Sequence, residues 1–171
     1  LQRLRVKEDL QKVILAFQEA GQEIARALQS SDGSKAGTKN IYGEEQIALD
    51  VFSDEVVQKF LKQCGVVSLI ASEELPDQMN IGPGPYAVAY DPLDGSSLVD
   101  SNLSVGSIFG MYEDDHFIGL KGTDQVASGF LLYGPRLTMM ITVGKGVSEF
   151  LWNSDLGHFL LLRENLRIAE E

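Results

Sequence analysis

The chain is short of cysteine, histidine, basic residues and long apolar runs. Its one cysteine, Cys64, excludes an internal disulfide and points to a reducing compartment. Lying on the apolar side of an expected helix, that thiol reads as inert. There are 14 Lys and Arg against 25 Asp and Glu, for a net charge of −11. No basic stripe is available to neutralise nucleic-acid phosphates, so a nucleic-acid partner is not expected. A small phosphorylated substrate is still allowed, because a bound divalent ion inverts the local sign of charge. The two histidines, His116 and His158, stand apart with no nucleophile pattern nearby and read as surface or packing residues. No G-x-S-x-G, H-E-x-x-H or P-loop pattern occurs, so serine-hydrolase, zinc-protease and P-loop readings find no support. No apolar stretch approaches a membrane span and no secretory signal is visible, so no membrane partner is expected. The expected location is cytoplasmic, or the plastid stroma in a photosynthetic eukaryote. Without a secretory signal, the Asn102-Leu103-Ser104 sequon reads as coincidence.

What remains is ordinary globular composition, 44% hydrophobic and 23% charged in 171 residues, enough for one domain with a sizeable core. Two short apolar runs stand out. Val66 to Ala71 ends in Ser72-Glu73-Glu74, and Tyr86 to Tyr90 ends in Asp91-Pro92-Leu93-Asp94-Gly95-Ser96-Ser97. Both are rich in Val, Ile or Tyr and bounded by turn residues, so they read as strands. If they are parallel neighbours, their carboxyl ends bring four carboxylates to one sheet edge, where ligands bind in α/β proteins. Oxygen-only ligands select a hard cation such as magnesium, or manganese in its place. Gly95-Ser96-Ser97 then offers a turn whose N–H groups can face an anion. Either acidic segment alone is commonly just a solvated turn. Together, each at a strand end, they point to a metal site beside a phosphate cradle and so to a magnesium phosphatase.

The rest of the chain arranges itself around these runs. Leu10, Ile14, Phe17, Ile24 and Leu28 form an apolar stripe on a helix from Lys7 to Gln29, suited to a core or a partner subunit. Residues 30–43 read as a polar, glycine-bearing mobile loop. A second helix carries Phe52, Val56, Val57, Phe60, Leu61 and Cys64 and stops at Gly65. At its start, Glu44 and Asp50 read on spacing alone as negative charge favourable to a helix N-terminus. Asp77 to Pro85 reads as a surface connection. Leu103 to Tyr112 is expected to be a strand whose Ser104, Gly106 and Gly110 admit a close neighbour, with His116–Leu120 as its hairpin partner. Thr123-Asp124 is expected to cap a helix bearing Val126, Phe130 and Tyr133, and Leu137–Val143, Val147–Trp152 and His158–Leu162 to be strands. Trp152 and the Met139-Met140 pair read as core or interface. Helices followed by mainly antiparallel strands make a layered α+β domain with a mixed sheet.

The stretch Tyr90-Asp91-Pro92-Leu93-Asp94-Gly95-Ser96-Ser97, continuing through Asp100 and Val105-Gly106-Ser107-Ile108-Phe109, resembles the class I fructose-1,6-bisphosphatase and sedoheptulose-1,7-bisphosphatase family. That family belongs to the magnesium-dependent, lithium-sensitive phosphatases, which include the inositol monophosphatases. Asn40 to Gln46 with Asp50, Ser72-Glu73-Glu74, Gln125 to Pro135, Gly144 to Val147 and Glu164 to Ile168 are similar to family segments in order and spacing, so the resemblance covers most of the chain. It implies that Glu73, Glu74, Asp91 and Asp94, with the Leu93 carbonyl, ligate magnesium. It implies that Glu44 and Asp50 orient or deprotonate the attacking water with Glu74, and that Asp94, Gly95, Ser96 and Ser97 hold the scissile phosphate. The family usually has Asp where this chain has the longer Glu44. Family members continue into a second domain with a further metal-ligating Glu and the sugar contacts, so residues 1–171 are expected to be an N-terminal half. The first substrate expectation is fructose 1,6-bisphosphate, with sedoheptulose bisphosphate or both as the alternative. Segments such as Glu45-Gln46 and Leu98-Val99-Asp100 resemble the sedoheptulose enzymes, whereas Gly144 to Val147 resembles bacterial fructose enzymes. An inositol-type monophosphatase fits less well, since that branch more often has threonine at the Ser96-Ser97 pair. A rival of another class is a non-catalytic assembly or regulatory domain. A homo-oligomer, a tetramer by resemblance, is the expected assembly. The AMP-site motif of the animal enzymes is not found in residues 1–30, and one cysteine gives no support to the redox control of plastid members.

Overall fold

Acidic Glu8 and Asp9 occupy the first turn of helix α1 (Glu8–Ser30), where negative charge suits the helix dipole. Its buried side carries Leu10, Val13, Ile14, Phe17, Ala20 and Ile24, which matches the stripe read from the sequence and packs on the protein's own core. The computed structural model describes residues 6–30, 35–39 and 45–168. Within the segment read as a loop, β1 (Lys35–Lys39) pairs antiparallel with β2 (Glu45–Ile47). Helix α2 (Ala48–Cys64) follows and ends at Gly65, whose φ of 72° is the left-handed conformation that closes a helix at little steric cost to glycine.

The remaining strands are β3 (Val67–Ser72), β4 (Met79–Asn80), β5 (Tyr86–Asp94), β6 (Val105–Tyr112), β7 (Ala127–Tyr133), β8 (Leu137–Thr142), β9 (Val147–Asn153) and β10 (His158–Leu166). They form one eight-stranded sheet in the order β10-β9-β8-β7-β6-β5-β3-β4. Every neighbouring pair is antiparallel except β3 and β5, which run parallel with Ile70 opposite Val88 and Ser72 opposite Tyr90. The mixed sheet with helices is the α+β layering expected.

Both helices pack on one face of this sheet. Phe17 of α1 stacks on Phe109 with ring centroids 4.0 Å apart and meets the edge of Tyr90 at 6.2 Å. Helix and sheet approach closely at Gly21, where an added Cβ would lie 2.7 Å from Leu131 Cδ1. The opposite face carries Ile108 and Phe130, paired across β6 and β7, at 47% and 42% exposure.

Two expectations are corrected. Val126 to Tyr133 is not a helix. Ala127, Leu131 and Tyr133 turn inward while Phe130 and Leu132 turn outward, the period-two alternation of a strand. Ser128-Gly129 also weakens any helix there. What Asp124 caps is one short 3-10 turn, Gly122–Asp124, by accepting the Lys121 N–H at 2.7 Å. Nor is His116–Leu120 the hairpin partner of β6. That segment is turn, and β7 pairs with β6 instead, closed by a hydrogen bond from Val126 N–H to Met111 C=O at 2.9 Å.

Candidate metal and phosphate site

Parallel pairing of β3 and β5 does what the sequence required of it. Both strands end at the same edge, and the Glu73 N–H donates to the Tyr90 carbonyl at 3.2 Å, which sets Glu73 beside Asp91. The two carboxyl groups are close enough to interact directly. Burial first, then this contact and the charge of Glu73, push the Asp91 carboxyl up to about 8; the Leu93 N–H, donating to Asp91 Oδ1 at 3.0 Å, opposes the shift. Asp94 adds a smaller repulsion. Two carboxyl groups pressed together cannot both ionise cheaply, which favours the protonated form of Asp91. Glu74 follows with its N–H bonded to the Ser72 hydroxyl at 3.2 Å.

Asp91 to Asp94 is a bulge. Asp91 lies opposite Ile108 and Asp94 opposite Gly106, so Pro92 and Leu93 together face the single residue Ser107. Across this irregularity Leu93 is buried and Asp94 exposed. Ser107 is 1% exposed. Its hydroxyl donates to the Pro92 carbonyl at 2.7 Å, and the Tyr133 hydroxyl lies 2.6 Å from it. Because the serine proton is committed to Pro92, Tyr133 is the donor of the second bond. Burial keeps the Tyr133 phenol well above the usual tyrosine range, so it stays protonated.

Gly95 follows the bulge at φ 79°, ψ 21°, where glycine is the residue that fits without strain. A 3-10 helix, Ser96–Ser101, starts there, and its first internal bond runs from Leu98 N–H to Gly95 C=O at 2.8 Å. The N–H groups of Ser96 and Ser97 therefore begin a helix and have no carbonyl of that helix to pair with.

On the helical side, Asp50 lies in the first turn of α2 at 4% exposure, four positions before Asp54 at 5%. The Tyr90 hydroxyl donates to Asp54 Oδ1 at 2.9 Å, and the Gln58 amide donates to Oδ2 at 2.6 Å. Burial, then the Asp54 carboxylate, raise the Tyr90 phenol far above its ordinary range. Glu44, the remaining expected site residue, lies outside the described residues.

The structure thus brings Glu73, Asp91, Leu93, Asp94 and the Gly95-Ser96-Ser97 turn to one edge, with Glu74 next to Glu73 and Asp50 on the helix behind β5. It does not draw three of the four acidic oxygens within 4.8 Å of one another. Among the described residues that closeness is met by Asp114, Asp115 and His116 in the turn after β6. All three lie at the surface, where His116 is raised by the Asp115 hydrogen bond and the Asp114 charge, an ordinary surface pairing. The donor set at the strand ends, oxygen-only and with the Asp91 carboxyl raised by burial and by its neighbour Glu73, fits a hard divalent cation whose charge would favour the ionised form. Sequence reasoning missed Asp54, Ser107 and Tyr133. Of these only Asp54 left a signal, an acid set among apolar positions of a helix. A cleft of about 590 Å³ opens on the uncovered sheet face; Asp91 lines it together with Ile108, Phe130, Met140 and Val147, whereas Glu73, Glu74 and Asp94 do not.

Comparison with known proteins gives one consistent result. Residues 2–164 match the family described as fructose-1-6-bisphosphatase, N-terminal domain. The class 1 fructose-1,6-bisphosphatase of Geobacter metallireducens is 47% identical over 167 residues, covering 96% of this chain and 52% of that protein. The corresponding Geobacter sulfurreducens protein is 46% identical over 169 residues, covering 97% of this chain and 53% of its own. A crystal structure of Leishmania major fructose-1,6-bisphosphatase superposes with a TM-score of 0.87 at 29% identity, over 93% of this chain and 55% of that one. The chain spans about half the length of the curated relatives it matches.

Proposed function

Because the chain belongs to the fructose-1,6-bisphosphatase family through that family's N-terminal domain, we propose that it forms the metal- and phosphate-binding half of a magnesium-dependent phosphoric monoester hydrolase. The substrate is a sugar bisphosphate, first of all fructose 1,6-bisphosphate at its 1-phosphate, in carbohydrate metabolism such as gluconeogenesis. The observation that carries this reading is the parallel β3–β5 pair, which sets Glu73 against Asp91 at one edge and follows them with the Gly95 turn.

In this reading Glu73, Glu74, Asp91, Asp94 and the Leu93 carbonyl hold divalent cations. When bound, such ions polarise phosphoryl oxygens and lower the pKa of water. The chain's own part is positioning and charge. The Ser96 and Ser97 N–H groups bind phosphate oxygens and fix the phosphorus for attack. Glu44 and Asp50 orient or deprotonate the attacking water together with Glu74. The net charge of −11 makes the cations necessary for an anionic substrate to dwell there. The assembly is a homo-oligomer and its place the cytoplasm.

The test is phosphate release in Mg²⁺ from fructose 1,6-bisphosphate and sedoheptulose 1,7-bisphosphate. It is measured on the chain itself and on a chimera that appends the second half of the G. metallireducens relative. Hydrolysis by the chimera, abolished by Asp91→Asn, is expected, and the preferred sugar decides between the two substrates. A folded chimera inactive on both sugars would refute the reading.

A further inference from the structure

Leu93 and Asp94 owe their placement to a one-residue bulge, and a bulge is soft unless something holds it. Within this one Pro92 falls outside the β5–β6 register, and its carbonyl accepts from a side chain on the buried face. The Ser107 hydroxyl meets it at 2.7 Å, and the Tyr133 hydroxyl reaches diagonally from β7 to meet Ser107 at 2.6 Å. Ser107 and Tyr133 are 1% and 6% exposed, so water does not compete for these bonds. A buried hydroxyl that lost its partner would carry a desolvation cost, so the set is held in one arrangement.

We propose that Ser107 and Tyr133 are positioning residues for metal binding, acting as a two-hydroxyl strut that fixes the Pro92 carbonyl and through it the direction of the Leu93 carbonyl and the Asp94 carboxylate. The inference rests on the reading of the strand-end acids as a cation site and adds to it residues that touch neither metal nor substrate. Protons are fully assigned: Tyr133 donates to Ser107, and Ser107 donates to Pro92. Neither hydroxyl is left to ionise or to attack, which makes the pair a mechanical element.

The pair lies beneath the bulge on the helix-facing side of the sheet, whereas the ligating groups emerge at its edge. Groups that orient a metal's ligands commonly influence affinity by ten- to a hundredfold. A strut acting through one peptide unit belongs at the lower end of that range.

The test is Mn²⁺ binding to the 171-residue chain, followed by electron paramagnetic resonance titration well below the unfolding temperature, with a thermal melt of each variant beside it. Wild type binds; Ser107→Ala weakens Mn²⁺ about tenfold; Tyr133→Phe weakens it by a smaller factor, since Ser107 still reaches Pro92; and Ser107→Thr, which keeps the hydroxyl, restores wild-type affinity. If Ser107→Ala does not fold, Tyr133→Phe against Ser107→Thr decides the matter in the same direction. Lower melting temperatures with unchanged Mn²⁺ affinity in both hydroxyl-deleted variants would reduce the strut to a fold element and overturn the proposal alone. Failure of the wild-type chain to bind Mn²⁺ at all would instead remove the cation-site reading, and the strut with it.

Discussion

The Tyr90 phenol donates to the buried Asp54 carboxylate at 2.9 Å, and this contact ties α2, which carries Asp50, to β5, which carries Asp91. It is a cross-link between a helix and a strand inside the core, with Gln58 occupying the other carboxylate oxygen.

Removing the phenol by Tyr90→Phe is expected to destabilise the fold by about 1.5–3 kcal/mol, the range for a hydrogen bond to a charged group. Asp54→Asn, which keeps an accepting oxygen, should cost less. Urea unfolding of the two variants checks the order, and an equal or reversed order would contradict the assignment of Tyr90 as donor to a carboxylate.

A pH dependence follows from Asp91, whose carboxyl is raised from 3.8 to about 8. Between those values the folded chain holds a proton that the unfolded chain has released. The stabilisation is complete below pH 4 and is lost as pH climbs toward 8. In chelator, the urea midpoint of wild type relative to Asp91→Asn should therefore fall from pH 4.5 to 8.5. Added Mn²⁺ should reverse the trend, since the cation displaces the proton, and its affinity should rise with pH over the same span. Identical pH profiles for wild type and Asp91→Asn would exclude the raised Asp91 carboxyl.

Gly95→Ala tests the turn before the Ser96 and Ser97 N–H groups that are proposed to face phosphate. Space is not limiting, because the new Cβ would lie 3.7 Å from Leu98 Cδ1 and Val105 Cγ1. The cost is conformational, since φ is 79°, and amounts to about 1–2 kcal/mol. The variant should unfold at lower urea and bind inorganic phosphate in Mn²⁺ more weakly than wild type. Isothermal titration reads the second effect, and unchanged phosphate affinity would detach Gly95 from the cradle.

The position of the candidate acids was legible, because oxygen donors at the ends of neighbouring strands leave a local mark in the sequence. Glu73-Glu74 and Asp91 to Asp94 are local segments whose apolar lead-ins mark them as strand ends. Both helices and the three final strands were also readable from apolar periodicity. Where the reading went astray, tertiary contacts decided. Val126, Phe130 and Tyr133 recur at intervals of four and three and imitate a helix, while Ala127, Leu131 and Tyr133 simultaneously follow the two-residue period that packing against α1 selects. The small residues of β6 did announce close neighbours: the Leu131 carbonyl lies 2.8 Å from where a Gly106 Cβ would be, and the Gln125 amide occupies the space beside Gly110. Ser107 and Tyr133 could not be singled out, because a hydroxyl in a strand shows no sign of a partner 26 positions away.

The central claim is that the carboxylates ending β3 and β5 hold divalent cations. The most direct measurement is anomalous scattering at the manganese edge from crystals of this chain grown with Mn²⁺ and phosphate. The account predicts a peak within coordination distance of Glu73 and Asp91, next to the Gly95 turn. Peaks confined to the Asp114-Asp115-His116 surface cluster, with none between Glu73 and Asp91, would contradict it.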